Sequence, residues 1–238
     1  MKAILLAAGL STRLRPLTDK VPKCMIPIFG KPVLEHNIES LRKFGIKEVV
    51  INLFYLPQVI MNYFGDGSNW GMKISYSLEK EILGTAGGVK KAASFFDDSA
   101  FIVWYGDNIS TCNLHQLLAV HYAKDSLATM ALYRRNNVTQ SGIVGLNKDD
   151  RVTRFLEKPA PEQIFSHWVN AGIFILEPEV LDYIPMNRPS DFSRDIFPAL
   201  LAKGRPFYGY RMAENEGLWW IDTVADLKHT QREFKMIA

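Results

Sequence analysis

The chain begins with a short apolar run that ends in a turn of small and polar residues. Residues 3–8 carry no polar side chain, and Gly9 follows them. The turn then supplies Ser11, Thr12 and Arg13. An apolar run without alternation, stopped by glycine, is typical of a strand buried on both faces of a parallel sheet. Because ligands of open α/β sheets bind at the carboxyl edge of such strands, the turn is predicted to face a binding site.

The chemistry of this turn suits a triphosphate. Gly9 allows close backbone approach to a ligand, while Ser11 and Thr12 offer hydroxyl and N–H donors. Arg13 adds a guanidinium fork that matches phosphate oxygens. Neither G-x-G-x-x-G nor G-x-x-x-x-G-K-[ST] occurs, which excludes the dinucleotide and P-loop fingerprints. The alternative is an ordinary turn with an isolated arginine, but Lys23, a second cation held just after a proline, favours the anion site.

Composition limits the class of protein. The 238 residues are 47% apolar, enough for a sizeable core. A formal charge of +3 with scattered Lys and Arg argues against a nucleic-acid groove. Two cysteines, Cys24 and Cys112, are too few for a disulfide scaffold or zinc site and predict a cytoplasmic protein. Cys24, next to Lys23, is either a thiol of lowered pKa or, as we favour, a packed core residue. No run approaches the ~20 apolar residues of a membrane helix, so no membrane partner is expected.

Periodicity predicts an α/β fold, a Rossmann-like, mostly parallel sheet flanked by helices. The predicted strands are 48–53, 72–77, 101–105, 127–133, 169–176 and 206–211, and the predicted helices include 31–44, 58–64 and 113–124. A hairpin of 142–146 with 151–155 predicts a small antiparallel lobe. Ser193 is a candidate cap for a helix that begins near 191, and a last helix follows Thr223.

The turn belongs to a longer series of strings. Residues 6–18 spell L-A-A-G-x-S-T-R-L-x-P-L-T, followed by P-K at 22–23 and G-K-P at 30–32. This series resembles the opening signature of the sugar nucleotidyltransferases, the nucleoside-diphosphate-sugar pyrophosphorylases. The resemblance extends from Met1 to about Asp226. It therefore implies the fold of that family, with the antiparallel lobe as the sugar-binding part.

The resemblance also implies a domain plan. We expect a single nucleotidyltransferase domain over 1–238, with a nucleotide-binding half at about 1–110 and a sugar-phosphate-binding half at about 111–238. The left-handed β-helix that bifunctional relatives append is not expected. A homo-oligomer is left open.

A second string, L-G-T-A-G at 83–87, lies against the nucleoside in the family, and a tight turn with close helix packing is the alternative. The implied nucleotide-binding residues are Leu6, Ala8, Gly9, Ser11, Thr12, Arg13, Glu79, Gly84 and Thr85. Either Glu79 or Glu81 is expected to accept the two adjacent N–H donors of guanine. The alternative is that both glutamates are solvated beside Lys80.

Two aspartates are the candidate magnesium ligands. Asp107 follows the apolar run 101–105, where an aspartate is often only a helix cap. The family places one metal aspartate in this G-D string and a second in W-x-D, here Asp222. Relatives commonly continue with D-[IT]-G-T, whereas this chain has no glycine after Asp222, so Asp226 is the alternative ligand. The resemblance thus implies Mg²⁺ as the cofactor.

The acceptor side is assigned from shorter strings. In relatives, E-K-P, here 157–159, places a carboxylate on sugar hydroxyls and a lysine on the sugar phosphate, and N-A-G, here 170–172, faces the sugar. The implied sugar-phosphate-binding residues are Gly142, Glu157, Lys158 and Asn170. An exposed Glu-Lys pair is the alternative for the first two positions of E-K-P. Ser141 stands where many members have an aromatic residue, which leaves the acceptor's identity open.

The reaction implied is nucleotidyl transfer. An oxygen of a sugar 1-phosphate attacks the α-phosphorus of a nucleoside triphosphate and expels pyrophosphate. The expected catalytic residues are Arg13, Lys23, Asp107 and Lys158. The strings at 79–87 and 191–210 resemble those of mannose-1-phosphate guanylyltransferases, which favours GTP and mannose 1-phosphate. Uridylyl, cytidylyl or thymidylyl transfer, phosphocholine as acceptor, and a non-catalytic NDP-sugar sensor subunit are the alternatives.

Overall fold

A nine-stranded sheet forms the centre of the protein. The computed structural model describes residues 1–186 and 188–234. The strands in chain order are β1 (Ala3–Leu6), β2 (Pro27–Ile28), β3 (Lys31–Pro32), β4 (Glu48–Leu53), β5 (Lys73–Leu78), β6 (Phe101–Tyr105), β7 (Asn108–Ser110), β8 (Ala128–Arg134), β9 (Gly142–Leu146), β10 (Val152–Glu157), β11 (Trp168–Leu176), β12 (Phe207–Arg211) and β13 (Leu218–Trp220). The helices are α1 (Val33–Phe44), α2 (Pro57–Phe64), α3 (Gly84–Lys91), α4 (Leu114–Ala123), α5 (Phe197–Ala202) and α6 (Val224–Glu233).

The sheet is parallel in one half and largely antiparallel in the other. Its main path is β10-β9-β11-β6-β1-β4-β5, and β8 pairs with β11 and β12 off this path. The pairs among β5, β4, β1 and β6 are parallel, which confirms the predicted α/β alternation. The hairpin β9–β10 is also confirmed, but it is not a detached lobe. It continues the edge of the main sheet through a bridge between Ile143 and Val169.

Two buried clusters cover the two faces of the sheet. Along β1, Ala3 and Leu5 pack into one cluster and Ile4 into the other. The same division occurs in β6, where Trp104 and Phe101 lie on opposite faces. Strands covered on both faces have no need of polar alternation, which explains the continuous apolar runs in the sequence.

Helix boundaries follow local chemistry. Helix α1 begins at Val33, two residues later than predicted, because Lys31 and Pro32 form β3 against β2. Before α5, Phe192–Ile196 form a π-helical turn whose cap is Asp191. The carboxylate of Asp191 accepts the N–H of Ser193 at 3.0 Å, so the prediction that Ser193 is the cap was wrong. Among the described residues, no helix has the length and apolar character to span a bilayer.

Candidate active site

Two cavities open beside the carboxyl ends of β1 and β6 and share part of their lining. The first cavity, of about 400 Å³, is lined by residues 6–14 and by the beginning of α3. The second cavity, of about 500 Å³, is lined by residues 140–142, 157–158 and the segment after β13. Of the residues that the structure describes, four line both cavities: Arg13, Tyr105, Asp107 and Asp222. We call this shared region the junction.

The first cavity collects nearly all of the predicted nucleotide-binding residues. Those on its lining are Leu6, Ala8, Gly9, Ser11, Thr12, Arg13, Gly84 and Thr85. Glu79 is absent from that lining and lies buried behind Asn52, which the sequence analysis did not single out. Glu81 is exposed and lines a separate small cavity with Lys80.

The turn after β1 offers unpaired backbone donors. Within the described part of the chain, none of the N–H groups from Ala8 to Arg13 donates to a protein acceptor. By contrast, the N–H groups of Ala86 and Gly87 in the first turn of α3 both donate to the carbonyl of Ser190. Consecutive N–H groups beside a guanidinium form a binding site for anions. The turn can therefore hold phosphates, whereas α3 presents a packing surface.

Lys23 connects the two aspartates of the junction. The Lys23 Nζ lies 2.6 Å from the Asp107 carboxylate and also donates to Asp222. Arg13 Nη2 lies 3.5 Å from Asp222. Lys23 is 8% exposed and begins a short 3₁₀ turn, Lys23–Met25, directly after Pro22. Three distant segments thus bring two cations and two carboxylates to one point.

Taken together, the ion pairs shift the pKa values of Lys23 and Asp222 more than burial does. Burial by itself would lower the pKa of Lys23, but the charges of Asp107 and Asp222 hold it above the ordinary value. Burial would likewise raise the pKa of Asp222, but Lys23 and Arg13 hold it below its usual range. Both groups are therefore charged at neutral pH.

The carboxylates of the junction fit a magnesium ion. In residues 1–186 and 188–234, no group of three or more His, Cys, Asp or Glu side chains could hold a metal alone. Mg²⁺ commonly takes one or two carboxylates and completes its octahedron with phosphate oxygens and water. Asp107 and Asp222 supply two carboxylates that face one point where the two cavities join, and Lys23 Nζ lies at that point in this structure.

Asp226 forms part of the capping box of α6. Its carboxylate accepts the N–H and the hydroxyl of Thr223 at 3.0 and 2.7 Å. It also accepts the indole N–H of Trp220 at 3.0 Å. Thr223 in return accepts the N–H of Asp226, which completes a capping box at the beginning of α6. These bonds, rather than a glycine, fix the backbone after Asp222.

The second cavity contains all four predicted acceptor residues. Gly142, Glu157, Lys158 and Asn170 lie on its lining. Lys158 has a φ of 48°, in the left-handed region, and its N–H donates to the carbonyl of Ser141 at 3.0 Å. Burial raises the pKa of the Glu157 carboxyl, although Lys158 and Ser193 partly oppose it.

Arg135 and Trp220 are residues of the second cavity that the sequence analysis missed. The guanidinium carbon of Arg135 lies 3.8 Å from the centroid of the Trp220 ring, a cation–π arrangement. Arg135 Nη1 donates to the Ser141 hydroxyl at 3.2 Å. The available signal in the sequence was Ser141, which stands where many family members have an aromatic residue. A smaller side chain there leaves room for a neighbour such as Arg135.

Cys24 lies on the lining of the first cavity but is not a reactive thiol. Burial raises its pKa to about 12, and the nearby Asp107 carboxylate acts in the same direction, while Lys23 opposes the shift only weakly. A thiolate is the reactive form of cysteine, so this side chain is inert at neutral pH. The interpretation as a packed core residue agrees with this geometry.

Similarity to known proteins assigns the chain to a family. The family model described as "Nucleotidyl transferase" matches residues 2–225. The chain belongs to this family. Among curated nucleotidyl transferase relatives, the UTP–glucose-1-phosphate uridylyltransferase of Synechocystis sp. is 40% identical over 235 residues, covering 93% of this chain and 60% of the relative. The mannose-1-phosphate guanylyltransferase of Mycobacterium tuberculosis is 39% identical over 212 residues, covering 87% and 58%.

A solved structure matches the nucleotidyl transferase chain more evenly. HddC from Yersinia pseudotuberculosis, complexed with GMP-PN, superposes with a TM-score of 0.82 at 25% identity and covers 98% of this chain and 99% of that one. The curated relatives are longer, and the chain spans about three fifths of their length.

Proposed function

We propose that this protein is a sugar-1-phosphate nucleotidyltransferase. The observation that carries the proposal is the junction, where Lys23, Asp107 and Asp222 meet between two cavities. Joining two phosphorylated substrates requires two adjoining anion sites with neutralising charge between them. An oxygen of the acceptor phosphate forms a bond to the α-phosphorus, and the bond to the β-phosphate oxygen breaks, so that pyrophosphate leaves with the electron pair.

Positioning and charge neutralisation are the tasks of the chain's own residues. The N–H groups of the turn at 8–13 and the Arg13 guanidinium hold the leaving phosphates. Lys23 neutralises charge that develops between the acceptor oxygen and the α-phosphate. When bound, Mg²⁺ supplies further neutralisation of phosphate charge, with Asp107 and Asp222 as its protein ligands.

The acceptor cavity contributes two further cations. Among the described residues, neither Arg135 nor Lys158 has a salt-bridge partner. Both line the second cavity, so both charges are available to an acceptor phosphate. Glu157 and Asn170, on the same lining, offer oxygen and amide groups to sugar hydroxyls.

GTP with mannose 1-phosphate is the substrate pair that we propose. The mycobacterial relative carries the name of that activity, and the HddC crystal contained GMP-PN. The Synechocystis relative, named for UTP and glucose 1-phosphate, makes that pair the main competitor. Glu79 has no part in guanine recognition in this proposal, because it is buried off the lining of the first cavity, where Asn52 and Leu83 hold its carboxylate.

The test is a substrate grid. Pyrophosphate release is measured with GTP, UTP, CTP and dTTP against mannose 1-phosphate, glucose 1-phosphate and phosphocholine, with MgCl₂ and with EDTA. We expect GTP with mannose 1-phosphate to exceed every other pair in kcat/KM by about tenfold or more. A preference for UTP with glucose 1-phosphate would replace the substrate pair but keep the reaction. No pyrophosphate from any pair would contradict the reaction and support the sensor hypothesis.

A further inference from the structure

Asn52 is a buried polar residue on the lining of the first cavity. It is the fifth residue of β4, is 2% exposed, and lies beside the beginning of the turn after β1. A buried amide is costly unless its donor and acceptor are both satisfied. Its hydrogen bonds therefore show what it holds in place.

The Asn52 amide joins two walls of the cavity. Its Oδ1 accepts the backbone N–H of Ala7 at 2.8 Å. Its Nδ2 donates to Glu79 Oε1 at 2.8 Å, and Glu79 Oε2 accepts the N–H of Leu83 at 3.0 Å. Ala7 begins the phosphate-binding turn, and Leu83 directly precedes α3. We call this series of three bonds the amide relay.

An amide is the side-chain group that this position requires. The backbone N–H of Ala7 needs an acceptor, and the Glu79 carboxylate needs a donor. Asparagine presents one of each at a fixed spacing, whereas aspartate has no donor when ionised and leucine has neither. Gly88 leaves room for the relay, because a Cβ there would lie 2.5 Å from Asn52 Nδ2 and 2.8 Å from Glu79 Oε1.

We propose that Asn52 is a positioning residue for the nucleoside triphosphate. It acts through the amide relay, which fixes the separation between the phosphate-binding turn and the beginning of α3. Glu79 belongs to the same relay and acts through Asn52, which accounts for its position behind the cavity lining. The inference rests on the proposed function, since it assumes that the first cavity binds a triphosphate.

The first experiment removes the relay and compares the two substrates. Asn52→Leu keeps a similar side-chain volume and abolishes both amide bonds. We expect the Kd for GTP, titrated calorimetrically with MgCl₂ and no acceptor, to rise about tenfold, as one or two buried hydrogen bonds predict. The KM for the sugar 1-phosphate should change less than about threefold, because no relay atom lies on the second cavity.

Asn37→Leu is the matched control. Asn37 is fully buried in α1, and within the described residues neither of its amide atoms has a hydrogen-bond partner. The same substitution there removes a buried amide without touching either cavity. Nucleotide affinity should stay at the wild-type value in this variant, which separates the relay from a general effect on the core.

The second experiment exchanges the relay partners. Asn52→Asp sets two carboxylates against each other, and Glu79→Gln sets an amide N–H against the N–H of either Leu83 or Asn52. Each single variant should therefore bind GTP more weakly. The double variant restores every donor–acceptor pair and the net charge, because a carboxylate at 52 accepts from Ala7 and from the new amide, whose oxygen accepts from Leu83. We expect it to recover GTP affinity to within about threefold of wild type.

The outcomes distinguish the inference from the proposed function. Additive losses in the double variant, or equal losses for GTP and acceptor in Asn52→Leu, would overturn the positioning role. Unchanged GTP affinity in Asn52→Leu at a wild-type melting temperature would overturn it as well. If the wild-type protein bound GTP but released no pyrophosphate with any acceptor, the proposed reaction would fail while the relay could still be judged by calorimetry.

Discussion

The first cavity takes half of its lining from one stretch of chain, residues 6–14, whereas the second cavity is assembled from Arg13 and several separate segments between residues 105 and 226. The polar groups also differ. The first cavity offers backbone N–H groups, and the second offers side chains such as Arg135, Glu157 and Lys158. Because a backbone N–H group does not depend on the identity of its side chain, the turn at 8–13 should tolerate substitutions outside the junction. A site made of side chains changes its selectivity with each substitution.

The largest expected effect lies at the junction and concerns both cavities. Asp107→Ala and Asp222→Ala should each lower kcat by about a hundredfold to a thousandfold, the cost of losing a preorganised electrostatic contact. The double variant should be little worse than the more damaged single variant, since groups that act as a unit are not additive. Steady-state kinetics over a range of MgCl₂ concentrations provides the measurement.

Asp226→Ala is the control for the aspartate pair. Loss of its capping-box bonds should cost about 1 kcal/mol of unfolding free energy while the magnesium dependence stays unchanged. Full additivity of the two junction variants, or activity that persists in EDTA, would contradict a shared ion. If only Asp226→Ala abolished activity, Asp226 rather than Asp222 would be the metal ligand.

A comparable effect is expected for Lys23→Ala, but on turnover rather than affinity. Its charge matters most as the transition state forms, so kcat should fall about a hundredfold or more while the Kd for free triphosphate changes far less. Lys20→Ala, an exposed lysine three residues earlier, is the matched control. Near wild-type turnover in Lys23→Ala would show that the junction does not need this cation.

A smaller effect should distinguish the second cavity from the first. Arg135→Met removes a guanidinium that stacks on Trp220 and donates to Ser141. We expect the acceptor KM to rise about tenfold, as for one charge-assisted hydrogen bond, with the triphosphate KM unchanged. Arg134→Met changes the exposed neighbour and should leave both constants alone. An equal rise in the acceptor KM and the triphosphate KM would contradict the assignment of Arg135 to acceptor binding alone.

The smallest expected effect is a pH dependence of stability at Glu157. Burial holds the pKa of this carboxyl above its usual value, so the folded state binds its proton more readily than the unfolded state. The penalty for burying its charge is present at neutral pH and is relieved as pH falls through the raised pKa. Glu157→Gln should therefore raise the melting temperature at pH 7 by a few degrees, and the gain should shrink in acid. A gain that does not change with pH would contradict the assignment to this ionisation.

The comparison also explains which parts of the site could be predicted from sequence. The turn from Gly9 to Arg13 could be predicted as an anion site because its donors are adjacent in the chain, so their spacing is visible. Lys158 and Asn170, which line the second cavity, could be predicted only from short strings that resemble those of the family. Asn52 was missed because a single polar residue near the end of an apolar strand looks like an ordinary strand ending. Arg135 was missed because its stacking partner, Trp220, lies 85 positions away.

By itself, the sequence determined the order of the nine strands of the main sheet and the run of small and polar residues that follows β1. Both depend on interactions between near neighbours, which periodicity and glycine placement record. Only the tertiary structure decided that Lys23 lies between Asp107 and Asp222 and that Asp226 caps α6. The tertiary structure alone also placed Glu79 behind Asn52. Contacts between residues far apart in the chain depend on how the sheet brings the ends of its strands together. A local sequence pattern carries no information on the distance in space between two such residues.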